Sequence, residues 1–349
     1  MHVAMLAPIT WRVPPRAYGP WEQVASVLTE GLVARGVEVT LFATADSQTS
    51  ATLVSTCPCP LAEDPSLDPK VWESLHIGAL FERAHAFDLI HNHLDFLPLA
   101  YSRLVAPPML TTLHGFVSER NLPIYSAYND DGGYVAISDA VRHPALNYMA
   151  TIHHGLDFSQ FTFQKQPDDY LLFLGHMHPH RGVLNAIEVA RRAGRRLIMA
   201  GIIPNRAYFR RHIWPLIDGK RVRYLGPVGP ELRDELLGKA SALLHLISFN
   251  DPFGLSIVEA MACGTPVIAF NCGSVAELVR HRETGYIVET MGEAVHAVEA
   301  AALLDRVAIR RYAADHFSQQ RMVEAYLRVY HDLLAQPQPN TAMNQRAIG

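Results

Sequence analysis

Asp251 and Glu259 are the carboxylates whose setting best fits carbohydrate chemistry. They lie in the run Asn250-Asp251-Pro252-Phe253-Gly254-Leu255-Ser256-Ile257-Val258-Glu259, which continues into Gly264-Thr265-Pro266-Val267. An apolar run, Ala242 to Leu246, ends before it; Pro252 and Gly254 turn the chain, and a helix begins near Leu255. The amides and positive dipole end of a helix start suit a phosphate, and a glycine there lets backbone approach a ligand. Glu259 falls about one turn into that helix, where a carboxylate reaches sugar hydroxyls beside the phosphate. The spacing alone fits equally well an acidic residue on a solvated helix face. A second group is Phe173-Leu174-Gly175-His176-Met177-His178-Pro179-His180-Arg181-Gly182. Arg181 offers a fork-shaped phosphate ligand, whereas His176 is only partly charged at neutral pH. The alternating histidines fit a polar loop better than a metal site. In the N-terminal half, His114 and His93 each close an apolar run (Met109 to Leu113, Asp88 to His91). His114 reads either as a satisfied core histidine or, with Gly115 behind it, as a group facing a cleft at the strand ends.

These residues need a scaffold that carries them on strand ends. Short apolar runs alternate with helical patterns along the chain, the mark of an α/β protein with parallel sheets. Strands are expected at His2–Ala7, Val37–Ala43, Asp88–His91, Met109–Leu113, Tyr134–Ile137 and Ala150–His153. A second set follows at Tyr170–Leu174, Arg196–Ala200, Val222–Leu225, Ala242–Leu246 and Pro266–Phe270. Helices are expected at Trp21–Arg35 and Gly182–Ala193, stopped by Gly36 and Gly194, with a long one at Ser318–Ala335. The polar stretch Asp157–Asp169 interrupts the rhythm and reads as a linker. Two domains result, 1–160 and 168–317, with a disordered tail expected over 337–349. Two such halves imply a ligand cleft between them at the carboxyl ends of the strands.

Composition narrows the function. A chain of 349 residues with 49% apolar and 18% charged residues builds two ordinary cores. Its net charge of -4 argues against nucleic acid as a partner. Four cysteines form neither a disulfide framework nor a zinc set. No signal peptide or membrane span is read, so a cytoplasmic enzyme is expected. The Gly-x-Gly-x-x-Gly and Walker loops are missing, as are an Asp-x-Asp pair and a Gly-x-Ser-x-Gly elbow, which disfavours dehydrogenases, NTPases, metal-dependent sugar transferases and hydrolases.

The Asp251-to-Glu259 element with its Gly-Thr-Pro-Val tail resembles that of glycosyltransferase family 4, whose retaining members have the GT-B fold. That family carries Glu-x7-Glu; here Asp251 takes the first position and Glu259 the second. The Gly175–Gly182 stretch is similar to the family's Gly-Arg-x-x-x-x-Lys-Gly, with His176 and Arg181 in the basic positions. Tyr18-Gly19-Pro20-Trp21 stands at its Gly-Gly loop, Thr111-Thr112-Leu113-His114-Gly115 at its strand-end histidine, and His154-Gly155-Leu156-Asp157 at the turn before its linker. The resemblance covers about residues 1–335 and is nearest to short actinobacterial-type members.

The resemblance implies an N-terminal acceptor domain, a C-terminal donor domain, and a last helix (318–335) that returns to the first. It further implies transfer of a hexose from a nucleotide diphospho-sugar, of GDP-mannose or UDP-glucose type, to an unidentified acceptor. Transfer would retain the anomeric configuration, with no cofactor and no essential metal. Glu259 would hold the ribose, Asp251 the sugar hydroxyls, and His114 would orient the sugar. Arg181 and His176 would grip the diphosphate, with the backbone of Phe253, Gly254 and Leu255 near sugar and phosphate. Val228 would lie by the base, Gly19 by the donor, and His93 on the acceptor side. Because Asp251, His176 and Pro20 depart from the family pattern, donor binding with little turnover stands beside this reading; a family member using another leaving group, a phosphorylase acting on sugar 1-phosphate, is a second alternative.

Overall fold

The computed structural model describes residues 1–336; the tail expected over 337–349 lies outside the described residues. The chain forms two compact units, one of Met1–Gly155 with the segment that starts at Gln319, the other of Leu156–Ser318.

The first unit is built on seven parallel strands: β1 (His2–Leu6), β2 (Glu38–Phe42), β3 (Thr52–Val54), β4 (Leu89–Asn92), β5 (Met109–Leu113), β6 (Gly132–Ala136) and β7 (Tyr148–Thr151). Their order across the sheet is β3-β2-β1-β4-β5-β6-β7. Helices cover both faces of such a sheet, so its strands bury side chains on both sides and read as unbroken apolar runs. Val3, Ala4, Met5 and Leu6 of β1 are all fully buried. The Pro20–Ala34 helix starts with Pro20 in its first turn, where a missing N–H costs nothing. The chain turns out of it through Gly36 in left-handed conformation (φ 77°).

The last helix, Gln319–Ala335, belongs to this first unit, as expected, although the whole second unit precedes it in the chain. It buries Met322, Tyr326, Tyr330 and Leu333. Its contact with the Pro20–Ala34 helix is close because Gly31 has no side chain: a Cβ there would lie 2.5 Å from a Val323 methyl.

The second unit repeats the plan with β8 (Tyr170–Leu174), β9 (Arg196–Ala200), β10 (Val222–Tyr224), β11 (Ala242–His245), β12 (Val267–Phe270) and β13 (Gly285–Val288), in the order β10-β9-β8-β11-β12-β13. The expected linker over 157–169 is part of this unit. Its backbone is fastened by Asp168 N–H to the Lys239 carbonyl (2.7 Å) and Gln164 N–H to the Cys263 carbonyl (3.2 Å). The buried Arg306 guanidinium donates to the carbonyls of Gln164, Gly238 and Ala240 and to Thr265 Oγ1. Those bonds are made one at a time to distant partners, so the stretch has no periodic pattern to read.

Both sheets are doubly wound, and the strand order reverses between β1 and β4 in one and between β8 and β11 in the other. Connections leave such neighbours toward opposite faces and open a crevice at their carboxyl ends.

Candidate active site

In the second unit the residues expected to do chemistry gather at that reversal. His176 and Arg181 follow β8, while Asp251, Phe253, Gly254 and Glu259 follow β11. Gly182 caps the Val183–Arg192 helix in left-handed conformation (φ 76°), and a Cβ there would sit 1.9 Å from the Leu246 carbonyl oxygen. Only glycine lets the two loops approach that closely. An ion pair joins the two loops, Arg181 Nη1 to Asp251 Oδ2 at 3.3 Å. The Arg181 guanidinium also lies over the Phe249 ring, 4.8 Å from its centroid. His245, the last residue of β11, adds a third group: its Nε2 is buried, has no hydrogen bond, and stands 3.6 Å from Asp251 Oδ2. His176 is half-buried, and burial, helped by Arg181 and His178, holds its pKa below the usual value. It therefore brings little positive charge at neutral pH. His178 accepts the His180 N–H and so shapes the single turn Pro179–Arg181.

Glu259 is only 6% exposed, which excludes the solvated-face reading of its spacing. It lies in the Leu255–Ala262 helix and pairs with Arg233 Nη1 at 3.3 Å. Burial pushes its carboxyl pKa up and Arg233 opposes that shift. Asp251 and Glu259 thus have separate basic partners. Gly254 has an ordinary φ of −78°, and a Cβ on it would meet the Ile257 side chain at 2.7 Å, so its smallness makes room for the next turn of its own helix. The Leu255 N–H is already bonded to the Phe253 carbonyl at 3.0 Å, and Ile257 N–H to the Gly254 carbonyl at 2.9 Å. Val228 is half-buried in the loop between β10 and the Pro230–Lys239 helix, the helix that carries Arg233.

In the first unit His93 and His114 stand at the ends of β4 and β5 and hydrogen-bond to each other, Nδ1 to Nε2, at 2.8 Å. His114 has its ring stacked under Trp21 (centroids 5.1 Å apart) and lies 5.3 Å from the ring of His154. His91, inside β4, bonds the hydroxyls of Tyr330 and Thr112 at 2.7 and 2.8 Å. Burial drives the pKa of His93 and His154 down to about 3 and that of His114 well below its ordinary value. All of these imidazoles are neutral. Of two neutral rings joined by one hydrogen bond, the joined nitrogens are a donor and an acceptor, so the outer nitrogens are an acceptor and a donor. Those outer atoms, His93 Nε2 and His114 Nδ1, are buried without a hydrogen-bond partner. His114 is therefore not a satisfied core histidine. Gly19 precedes the Pro20–Ala34 helix at φ 150°, and a Cβ there would crowd Pro15, Trp11 and the Glu22 carboxylate at 2.9 to 3.0 Å. Glu22 itself is 3% exposed, accepts the Trp11 N–H at 3.0 Å, and is raised by burial to a pKa of about 7.

Sequence reasoning missed Arg233, His245 and Glu22. Arg233 and His245 follow no local spacing rule toward their partners, and Glu22 reads as an ordinary acidic residue in a helix's first turn.

Residues 22–160 match the family model described as Glycosyltransferase Family 4, and residues 157–313 match that of Glycosyl transferases group 1. The chain belongs to glycosyltransferase family 4. Among curated relatives, this family 4 chain is 35% identical over 130 residues to a D-inositol 3-phosphate glycosyltransferase of Salinispora arenicola, covering 35% of this chain and 28% of that one. It is 32% identical over 108 residues to an N-acetyl-alpha-D-glucosaminyl L-malate synthase of Bacillus anthracis, covering 29% and 28%. The matched stretch therefore spans under a third of each of those relatives. Solved structures are similar over nearly the whole chain. AviGT4, a glycosyltransferase involved in avilamycin A biosynthesis, superposes with a TM-score of 0.72 at 24% identity, covering 96% of this chain and 98% of that one. HepE of Anabaena, solved in complex with UDP-glucose, gives 0.70 at 18% identity, covering 95% and 100%. At those identities the likeness speaks for the fold, which is GT-B, with two Rossmann-like domains. Among the described residues no helix is long and apolar enough to cross a membrane.

Proposed function

We propose that this family 4 chain is a hexosyltransferase. It takes a hexose from a nucleotide diphospho-sugar and transfers it to an acceptor hydroxyl with retention at the anomeric carbon and without an essential metal. The observation that carries the reading is the convergence, at the strand-order reversal of the second unit, of Arg181 and Asp251 with a separate pair, buried Glu259 and half-buried Arg233. A nucleotide diphospho-sugar needs a cation for its diphosphate and carboxylates for its hydroxyls. Arg181 supplies the first; Asp251 and Glu259 supply the second. Relatives point the same way: two are named as a glycosyltransferase and a glucosaminyl malate synthase.

In this mechanism the protein positions the donor and stabilises the departing diphosphate. Asp251 accepts from one nitrogen of Arg181, whose guanidinium lies over the Phe249 ring, while His245 stands beside the same Asp251 oxygen, so the fork is oriented before the donor arrives. Glu259, fixed by Arg233, accepts from the ribose hydroxyls, and Val228 flanks the base. His114, neutral, hydrogen-bonds a sugar hydroxyl through Nδ1, and His93 backs it from the acceptor side. UDP and GDP hexoses are both candidates as donors.

A second reading, donor binding with little turnover, is favoured by one observation: His176 is held neutral, so the diphosphate meets less positive charge than two full cations supply. One assay separates the two. The full chain is incubated with UDP-, GDP- or ADP-hexoses and a mixture of hydroxylated acceptors, and nucleoside diphosphate release and the product's anomeric configuration are followed by NMR. Release with a retained anomer supports the transferase. An inverted anomer contradicts retention, and saturable nucleotide binding without release supports the second reading.

A further inference from the structure

The transferase reading leaves the acceptor open, and the first unit holds a cavity that narrows it. The cavity, about 500 Å³, opens where β1 and β4 are neighbours, the strand-order reversal of that sheet. Its walls include four aromatic rings, Trp11, Tyr18, Trp21 and Phe96, and three carboxylates, Glu22, Glu73 and Asp95. Among the described residues no lysine, arginine or histidine lines it. Arg12, next in the chain to Trp11, is clamped by Asp46 and by both oxygens of Glu63.

The acids differ from a solvated surface cluster. Glu22 is 3% exposed and anchored by the Trp11 N–H. Asp95 is held in left-handed conformation (φ 73°), its carbonyl accepting from the Asn92 amide and its carboxylate from the Tyr125 hydroxyl. Burial raises the pKa of all three carboxyls above their ordinary values. A phosphate or carboxylate brought into this space would meet acids and no counter-charge, and would have to shed its water to enter. An uncharged ring finds the opposite: aromatic faces for its C–H surface and carboxyl oxygens for its hydroxyls.

We propose that this cavity takes the acceptor as an uncharged polyol, a sugar or cyclitol bearing neither phosphate nor carboxylate. The inference rests on the transferase reading for the word acceptor, but the selectivity of the cavity stands by itself. It separates this chain from relatives whose names carry D-inositol 3-phosphate or L-malate.

Ligand-observed saturation-transfer NMR on the full chain tests it, with and without UDP. Two matched pairs serve: inositol with inositol 3-phosphate, and methyl glucoside with glucose 6-phosphate. In at least one pair the uncharged member is expected to bind at least about tenfold more tightly than its phosphorylated partner. Trp11→Phe should move the quenching of tryptophan fluorescence that accompanies binding. Glu73→Lys, on a half-exposed helical position that leaves folding intact, should narrow the ratio about tenfold by adding a counter-charge. The inference is overturned if the phosphorylated members bind as tightly or more tightly, if no uncharged polyol binds, or if Glu73→Lys leaves the ratio unchanged. Because binding is read without a donor, the two readings fail separately. Loss of every nucleotide interaction would remove the transferase reading while the polyol preference still showed. Nucleotide binding together with a preference for phosphorylated polyols would remove only this inference.

Discussion

At the scale of single residues, the proposed donor site depends on two pairs, in each of which one member holds the other in place. Glu259 is buried with Arg233 3.3 Å away, and removing the arginine would leave a carboxylate without a partner. Arg233→Ala and Glu259→Gln are each expected to weaken nucleotide binding at least about tenfold, roughly 1.4 kcal/mol, by titration calorimetry. Because the two act as a unit, the double variant should lose clearly less than the sum. Strict additivity would show that Arg233 does not work through Glu259. Arg181 is the other test. Arg181→Ala should lower the transfer rate on the order of a hundredfold, since in the proposed mechanism it removes charge facing the leaving diphosphate. Arg181→Lys should recover part of that loss, because a point charge remains while the fork is gone. A rate unchanged in both would place the diphosphate elsewhere.

At the scale of elements, the site is only as good as the loops that present it. A methyl at Gly182 would clash with the Leu246 carbonyl, and the left-handed φ adds its own strain. Gly182→Ala is expected to destabilise the protein by about 3 kcal/mol in urea unfolding and to loosen nucleotide binding with it. Arg306→Ala should have a different signature. It strips hydrogen bonds from three carbonyls and Thr265, a cost of about 3 kcal/mol or more, and should open the 157–169 segment to limited proteolysis. Resistance equal to wild type would mean the segment is fastened by its other bonds.

These elements also show what a sequence can reveal. β1, β5, β8 and β9 are legible because parallel strands are buried on both faces, and expected and observed bounds agree within a residue. β3 and β13 lie at sheet edges, are three and four residues long and partly exposed, and leave no apolar run to find. Arg181 and Asp251 each stand out in the sequence by the glycines and the turn beside them, but their pairing does not. Arg233 and His245 are not, since each reaches its partner only once the sheet and helices are assembled. The carboxylate-lined cavity is invisible for the same reason: Glu22, Glu73 and Asp95 come from two helices and a strand end.

At the scale of the whole molecule, the histidines set the response to acid. His76, His91, His93, His114 and His154 in the first unit and His176 in the second are all held below the ordinary imidazole pKa, chiefly by burial. Unfolded, each takes a proton near pH ~6.5, so below that pH the unfolded chain binds more protons and stability falls. The loss continues toward the folded values, about 4 for His76 and about 3 for His93 and His154, at up to roughly 1.4 kcal/mol per pH unit for each histidine. Glu22 works in the opposite sense: its carboxyl, raised to about 7, takes up its proton in the folded state first and offsets about one histidine between pH ~7 and ~4.5. Urea midpoints should therefore be level above pH ~7 and fall steeply between pH ~6 and ~5; a constant midpoint over that range would contradict the buried neutral cluster. The central claim, a nucleotide-sugar site in the second unit, is tested most directly by melting the full chain with UDP, GDP, ADP and their hexose conjugates, alongside Glu259→Gln. At about a hundredfold excess over Kd a true ligand adds roughly 2.7 kcal/mol to stability, enough to raise Tm by some degrees. The account predicts such a rise for at least one nucleotide family in the wild type and its loss in Glu259→Gln; a wild-type Tm unmoved by every nucleotide would contradict it.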